Sequence, residues 1–306
     1  MDGRVTDCMK KVVITIPAYN EERTLGAVLS TIKNIMSGTR HSWKILVVND
    51  GSKDRTATVA KENGAIVASH QRNMGLAETF RTEMRECLAL GADVIVHTDA
   101  DGQYKAEEIP VLLHYIDKGY DLVLGSRFLG TIESMPLMKR LGNIAFSKVI
   151  SNITKTKITD GQTGFRAFTK EIAKEIDITS TYTYTQEQII RALRQKYNVI
   201  EVPVSFVARG GRTKSRLMSG PFNYAWKAGI NLIRVYRDYE PLKFFGRIGL
   251  SMVGISLLTG LYLLYTDVIY GNAQLDKMVP TIVLASVFFL TGLQVVLFGF
   301  LADMKK

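Results

Sequence analysis

Two hydrophobic periods alternate along residues 11–126. The runs "KVVITIPAY" (11–19), "WKILVVND" (43–50), "AIVASH" (65–70), "DVIVHTD" (93–99) and "DLVLGS" (121–126) are short, apolar and rich in β-branched residues. Runs of this kind read as strands covered on both faces. Between them, helical spacing predicts α-helices over 21–36 (behind an Asn20 cap), 54–63 (stopped by Gly64), 76–90 and 107–118. Regular strand–helix alternation predicts an α/β fold, a mostly parallel sheet with helices on both faces. In such sheets ligands gather beyond the carboxyl ends of the strands.

Polar clusters fall at those ends. Tyr19-Asn20-Glu21 follows the first strand, Asn49-Asp50-Gly51-Ser52 the second, and "DADGQ" (99–103) the fourth. In an extended chain, residues two apart point to the same side. Asp99, Asp101 and Gln103 therefore offer three oxygen-bearing groups to one spot, a set suited to Mg²⁺ or Mn²⁺. Neither G-x-G-x-x-G nor G-x-x-x-x-G-K-[ST] occurs, and "GGRTKS" (210–215) has the wrong spacing. A nucleotide would then be held by acidic residues and a metal, not by a glycine-rich cradle.

The pattern changes at the C-terminus. "FFGRIGLSMVGISLLTGLYLLYTDVIY" (244–270) and "VPTIVLASVFFLTGLQVVLFGFLADMKK" (279–306) each hold enough apolar residues to cross a bilayer, over about 248–270 and 279–301. Lys227, Arg234, Arg237, Lys243 and Arg247 precede the first run and Lys305 and Lys306 follow the second, while the connector carries Asp267, Asp276 and Lys277. The positive-inside rule puts both ends of this hairpin in the cytoplasm. The expected organisation is a cytosolic body over 1–220, a juxtamembrane amphipathic segment over 221–243 and a membrane hairpin over 244–306. Leu137, Leu141, Ile144, Val149 and Ile153 also fall at helical spacing beside Lys139 and Arg140, as do Phe222, Trp226, Ile230 and Ile233 beside Lys227 and Arg234. Both segments suit the headgroup region.

Composition adds two points. With 39 Lys+Arg against 29 Asp+Glu, the formal charge of +10 favours an anionic partner: lipid, phosphorylated substrate or nucleic acid. Cys8 and Cys87 fit no metal-ligand spacing, which favours a reduced compartment, and the N-terminus has no secretory apolar core. His97 reads as a packed residue, and His41, His70 and His114 carry no pattern.

"TIPAYNEERTL", "VVNDGSKDRT", "NMGLAETFR", "TDADGQ" and "LVLGSRF" resemble, in order and spacing, the family 2 glycosyltransferases of the GT-A fold. The later "DGQTGFRAF", "YTYTQEQ" and "RGGRTKSRL", followed by two spans, look like the polyprenyl-phosphate glycosyltransferases of the dolichyl-phosphate mannose synthase type. The motifs cover roughly residues 11–220, and the hairpin matches by architecture. This resemblance implies that Asp99, Asp101 and Gln103 hold Mg²⁺ or Mn²⁺ on the diphosphate of a nucleotide sugar. It places Pro17, Tyr19, Glu21 and Val48 around base and ribose, Asp50 at the base edge, Ala100 at a backbone contact, and Arg127 and Arg212 on the donor. Arg127, Arg166, Arg209 and Lys214 match acceptor-phosphate positions, and Asp101, Arg127, Arg166 and Lys214 carry the catalytic roles. Asp160 and Gln162 match the pattern as well, the acid orienting an arginine or facing the acceptor.

The implied activity is inverting transfer of one hexose, from GDP-mannose first or UDP-glucose next, to a polyprenyl (dolichyl) phosphate. An ionised phosphate needs positioning rather than a general base. The implied partners are donor, lipid phosphate and bilayer, with no nucleic acid and with self-association left open. The implied location is the cell membrane, or the endoplasmic reticulum in a eukaryote. Two alternatives stand beside this: transfer to a lipid or glycan hydroxyl with Glu187 as base, and a non-catalytic membrane scaffold. "QIIRA" (188–192) resembles the Q-x-x-R-W of processive synthases, but Ala192 lacks the ring that would stack on a growing chain.

Overall fold

The computed structural model describes residues 9–179, 184–208, 221–270 and 275–304. Contacts divide the chain into two units, Met1–Ala225 and Trp226–Lys306.

In the first unit the predicted strands form β1 (Lys11–Ala18), β2 (Ser42–Asn49), β3 (Ile66–Ser69), β4 (Val94–His97) and β5 (Leu122–Ile132). Two more strands, β6 (Arg166–Thr169) and β7 (Val199–Phe206), complete a seven-stranded sheet in the order β3-β2-β1-β4-β6-β5-β7. All pairings are parallel except those of β6, which runs against both β4 and β5. The sheet is covered by α1 (Leu25–Ser37), α2 (Thr56–Glu62), α3 (Leu76–Ala89), α4 (Ile109–Asp117), α5 (Leu137–Thr154), α6 (Lys170–Glu175) and α7 (Thr185–Arg194), of which α1, α2 and α4 share one core cluster. Ile14, Ile16, Val47, Val96 and Val123 are fully enclosed with Leu25, Leu29, Ile32 and Leu112. Runs that are apolar on both faces thus became central strands, as the pattern requires.

α1 begins four residues later than its periodicity predicts. The Glu21 amide donates to Thr56 Oγ1 at 2.8 Å and the Glu22 amide to Asp54 Oδ2 at 3.3 Å. In return Arg55 donates its amide to Glu22 Oε2 at 2.9 Å, and Lys53 its amide to Asn20 Oδ1 at 2.8 Å. The loops after β1 and β2 are stitched to each other, so residues 20–24 cannot join the helix.

The second unit continues α8 (Pro221–Tyr239) into α9 (Pro241–Tyr270) and α10 (Leu275–Asp303). The helices α9 and α10 pack together as a hairpin. Two segments, Pro241–Ile269 and Met278–Asp303, are long and apolar enough to cross a membrane. Their outward side chains, among them Leu258, Leu261, Leu284 and Phe298, are exposed.

Candidate active site

The antiparallel β6 sets the geometry of the sheet edge. Because β6 enters the sheet between β4 and β5 in the opposite sense, the loop before it (160–165) emerges past the end of β4 and alongside β5. A cavity of about 440 Å³ opens there, lined by Asp99, Asp101, Gln103, Arg127 and Lys139, with Tyr184 at one wall.

The acidic side is built by the turn after β4. Asp101 Oδ1 accepts the Gln103 amide at 3.0 Å, closing that turn. Gln103 Nε2 donates to Val207 O at 3.2 Å, so its amide oxygen is the end left for a ligand. The Asp99 carboxylate packs on the bare face of Gly164, where a Cβ would lie 3.1 Å from Asp99 Oδ1. Burial, together with the neighbouring Asp101 charge, pushes the Asp99 carboxyl up to about 6. Crowded acids of this kind gain from a cation between them. Among the described residues no cluster of three or more His, Cys, Asp or Glu side chains forms a metal cage. Two carboxylates and an amide fit instead an ion that completes its shell with waters and substrate phosphates, as Mg²⁺ does.

The cationic side depends on a bulge in β5. Ser126 pairs with Pro203 and Thr131 with Ser205, so four residues of β5 face one of β7. A bulge bends its strand and re-aims the side chains within it. Gly130 permits the close approach: a Cβ there would sit 2.1 Å from Val204 O. Arg127, at the start of the bulge, is gripped by the fully buried Asp160. Its backbone amide and Nε donate to Oδ2 at 3.1 and 2.7 Å, and Nη2 donates to Oδ1 at 2.8 Å. The guanidinium lies over the Phe206 ring, 5.2 Å from its centroid. Nη1 makes no hydrogen bond to a described residue, and Arg127 lines the cavity.

Other expected residues lie elsewhere. Arg166 is wholly enclosed: it donates to Thr163 O, to Thr185 O at 3.3 Å and to Gln188 Oε1 at 2.8 Å, and it lies against the Tyr184 ring. It braces the wall behind the cavity, so the expected direct contact with acceptor phosphate has no surface here. Asp50 is also turned inward. It accepts the Met74 and Gly75 amides at 2.7 and 3.0 Å and meets His70 Nδ1 at 2.7 Å. Its carboxylate therefore shapes the turn before α3, in place of presenting an open edge to a base. Pro17 and Val48 pair in register, and with Tyr19 and Glu21 they belong to the β1–β2 side of the edge; the buried Ala100 sits in the turn after β4, and none of these residues lines this cavity. Gln162 lines the cavity. Glu187 accepts from Thr179 Oγ1 at 2.8 Å and from Arg191 Nε at 2.9 Å, so it acts as a structural partner of both. Arg209, Arg212 and Lys214 lie outside the described residues. His97 is enclosed, donating through Nδ1 to Gly164 O at 2.7 Å. Burial works to lower its pKa, but the Glu83 charge 3.3 Å away holds the imidazole above its ordinary value.

Lys139 and Asn143 were not singled out for the site by sequence. Both come from α5 and line the cavity. The available signal was a lysine set one turn before an asparagine inside an otherwise apolar helix stripe.

Residues 13–177 match the family model described as Glycosyl transferase family 2. The chain belongs to that family. This family 2 chain is 34% identical over 204 residues to the dolichyl-phosphate hexose transferase of Haloferax volcanii, covering 66% of this chain and 86% of the relative. It is 29% identical over 272 residues to the dolichol-phosphate mannosyltransferase of Pyrococcus furiosus, covering 84% and 73%. In fold, it resembles glucosyl-3-phosphoglycerate synthase from Mycobacterium tuberculosis, solved with Mn²⁺, uridine diphosphate and glucosyl-3-phosphoglycerate. That likeness has a TM-score of 0.57 at 17% identity and covers 73% of this chain and 80% of that one. It places the sheet and its helices in the GT-A group of folds.

Proposed function

We propose that this family 2 glycosyltransferase moves one hexose from a nucleotide-diphosphate sugar to a polyprenyl phosphate at a membrane surface. One observation carries the choice of acceptor. Among the described residues lining the cavity, Asp99 and Asp101 are the only acids, and Arg127 and Lys139 are the only cations. With both acids committed to the donor's metal, no carboxylate is left to act as general base, and an ionised phosphate nucleophile needs none. It needs opposite charge and a fixed position, which a planar guanidinium and an ammonium provide. Glu187, the base required for a hydroxyl acceptor, is occupied by Thr179 and Arg191. Relatives named for dolichyl and polyprenyl phosphates point to the same acceptor class.

Asp99, Asp101 and Gln103 would hold the divalent ion. When bound, such an ion offsets negative charge growing on the leaving diphosphate. The chain's own groups do the rest. Arg127, fixed by Asp160, and Lys139 draw the acceptor phosphate to the cavity, and Arg166 keeps the wall formed by Tyr184 and Thr185 in place. GDP-mannose is the first choice of donor and UDP-glucose the second. The hairpin of α9 and α10 inserts in the bilayer. The exposed stripe of Leu137, Leu141 and Ile144 on α5 lies in the headgroups.

The test is a donor screen against one short-chain polyprenyl phosphate, with the released nucleotide identified. We expect a lipid-linked sugar that mild acid hydrolyses, formed with Mg²⁺ or Mn²⁺ and abolished by a chelator. Asp101→Asn should lower turnover about 100-fold or more, the scale of losing a group that stabilises charge in the transition state. An acid-stable product would point to a hydroxyl acceptor and overturn the proposal.

A further inference from the structure

Behind the cavity, on the opposite face of the β5–β7 pair, lies a carboxylate that the reading above does not use. Glu201 stands on β7 in register with Leu124 of β5, and its neighbours Val202 and Val204 point to the core. Its Oε2 accepts the Thr159 amide at 2.7 Å and the Thr159 hydroxyl at 2.9 Å, while Oε1 accepts the Asp160 amide at 2.8 Å. Three donors from two consecutive residues converge on one side chain.

Both residues it holds lead to Arg127. Asp160 makes the two-pronged grip on the guanidinium described above. Thr159 Oγ1, having given its proton to Glu201, accepts from Ser126 Oγ at 2.6 Å, and Ser126 is the residue before Arg127. Ser126 Oγ in turn accepts the Leu129 amide at 3.3 Å inside the bulge. Glu201 therefore fixes Arg127 along two routes: through the counter-ion that orients its fork, and through the backbone turn from which it projects.

We propose that Glu201 is a positioning residue for Arg127, setting where the guanidinium meets the acceptor phosphate. The inference rests on the reading that gives Arg127 that phosphate. Glu201 itself touches neither substrate. Among the described residues its carboxylate is the one side chain that holds the Thr159 and Asp160 amides together, and a carboxamide cannot replace it, because its NH₂ end faces donors. A bidentate pair tolerates little displacement, and misplacing a reacting group by about 1 Å costs about 100-fold in rate.

The experiment is a double-mutant cycle in the full-length membrane-bound protein, Glu201→Gln against Arg127→Lys. It is read as kcat and as KM for donor and for polyprenyl phosphate, with the thermal midpoint of each variant. Expected is a loss of about 100-fold in kcat/KM for the acceptor with Glu201→Gln, at unchanged donor KM. In the Arg127→Lys background that loss should shrink to a few-fold, since coupled residues are not additive. Equal losses in both backgrounds, or a donor KM that rises in step with the acceptor's, would make Glu201 a general structural residue and overturn the inference. Wild-type turnover in Arg127→Lys alone would instead overturn the role of Arg127. If Glu201→Gln does not fold, Thr159→Val replaces it in the same cycle, because it cuts the Ser126 route and leaves both amide bonds in place. The same coupling to Arg127 is expected, and additivity again refutes it.

Discussion

Asp99, half-buried at the cavity, and the buried Asp117 are pushed by their neighbours in opposite directions. At Asp99, burial and the Asp101 charge raise the carboxyl to about 6. At Asp117, burial also acts upward, but hydrogen bonds from Lys10 and Arg40, each 2.8 Å long, outweigh it and hold the carboxyl below its usual value. A depressed acid stabilises the fold above its unfolded pKa, roughly 3.9, and that contribution is lost as pH falls through the lower folded value. Asp117→Asn should thus cost on the order of 1 kcal/mol at pH 7, since Arg40 is partly exposed and water screens the pair. Thermal midpoints of the two proteins should differ at pH 7 and converge below about pH 4. A gap that persists at pH 3 would mean the loss comes from packing, not charge. At this scale the acidic turn was legible in the sequence because Asp99, Asp101 and Gln103 are nearly contiguous. The grip of Asp160 on Arg127 spans 33 residues and the hold of Glu201 on Asp160 spans 41, so neither leaves a local pattern. Arg166 matched a motif, yet a motif does not say whether a side chain faces the cavity or the core.

Among the elements, β5 carries the most consequence for the site. Its bulge exists because the chain rides over β7 at Gly130, within a distance no side chain tolerates. Gly130→Ala should destabilise the protein by about 1–3 kcal/mol, the range for forcing an extra methyl into packed structure. It should also lower turnover more than stability alone accounts for, because Arg127 projects from the same bulge. Thermal midpoint and kcat measured on one preparation check both, and a variant equally stable and equally active would show that the bulge relaxes freely. Five of the seven strands stood out as apolar runs between turn residues. The other two did not: β6 opens on Arg166 and overlaps the end of "DGQTGFRAF", with no apolar run of its own, and β7 is interrupted by Pro203, which an edge strand accepts. The late start of α1 was equally invisible, since it results from the stitch between the loops after β1 and β2.

For the whole molecule, the two units divide the labour suggested by their surfaces, one carrying the sheet edge and its charged cavity, the other the apolar hairpin. The charge on the flanks of α9 and α10 predicts that the body and the C-terminus share the cytosolic side. In a chain with its native cysteines replaced, Lys118→Cys and Asp303→Cys should both react with an impermeant maleimide in inside-out vesicles and neither in right-side-out ones. Labelling of the two on opposite sides would refute the hairpin. The reversed β6 has a further effect on how such a molecule can diverge. A strand running backwards delivers its leading loop to the business edge while its own sequence stays in the middle of the sheet. The cationic side of the cavity is therefore assembled from β5 and the segments that follow it, whereas the stitched β1–β2 loops come before it. Under the proposed function, substitutions that retune the acceptor would fall in β5 and the later half of the body, and those that retune the nucleotide in the earlier half.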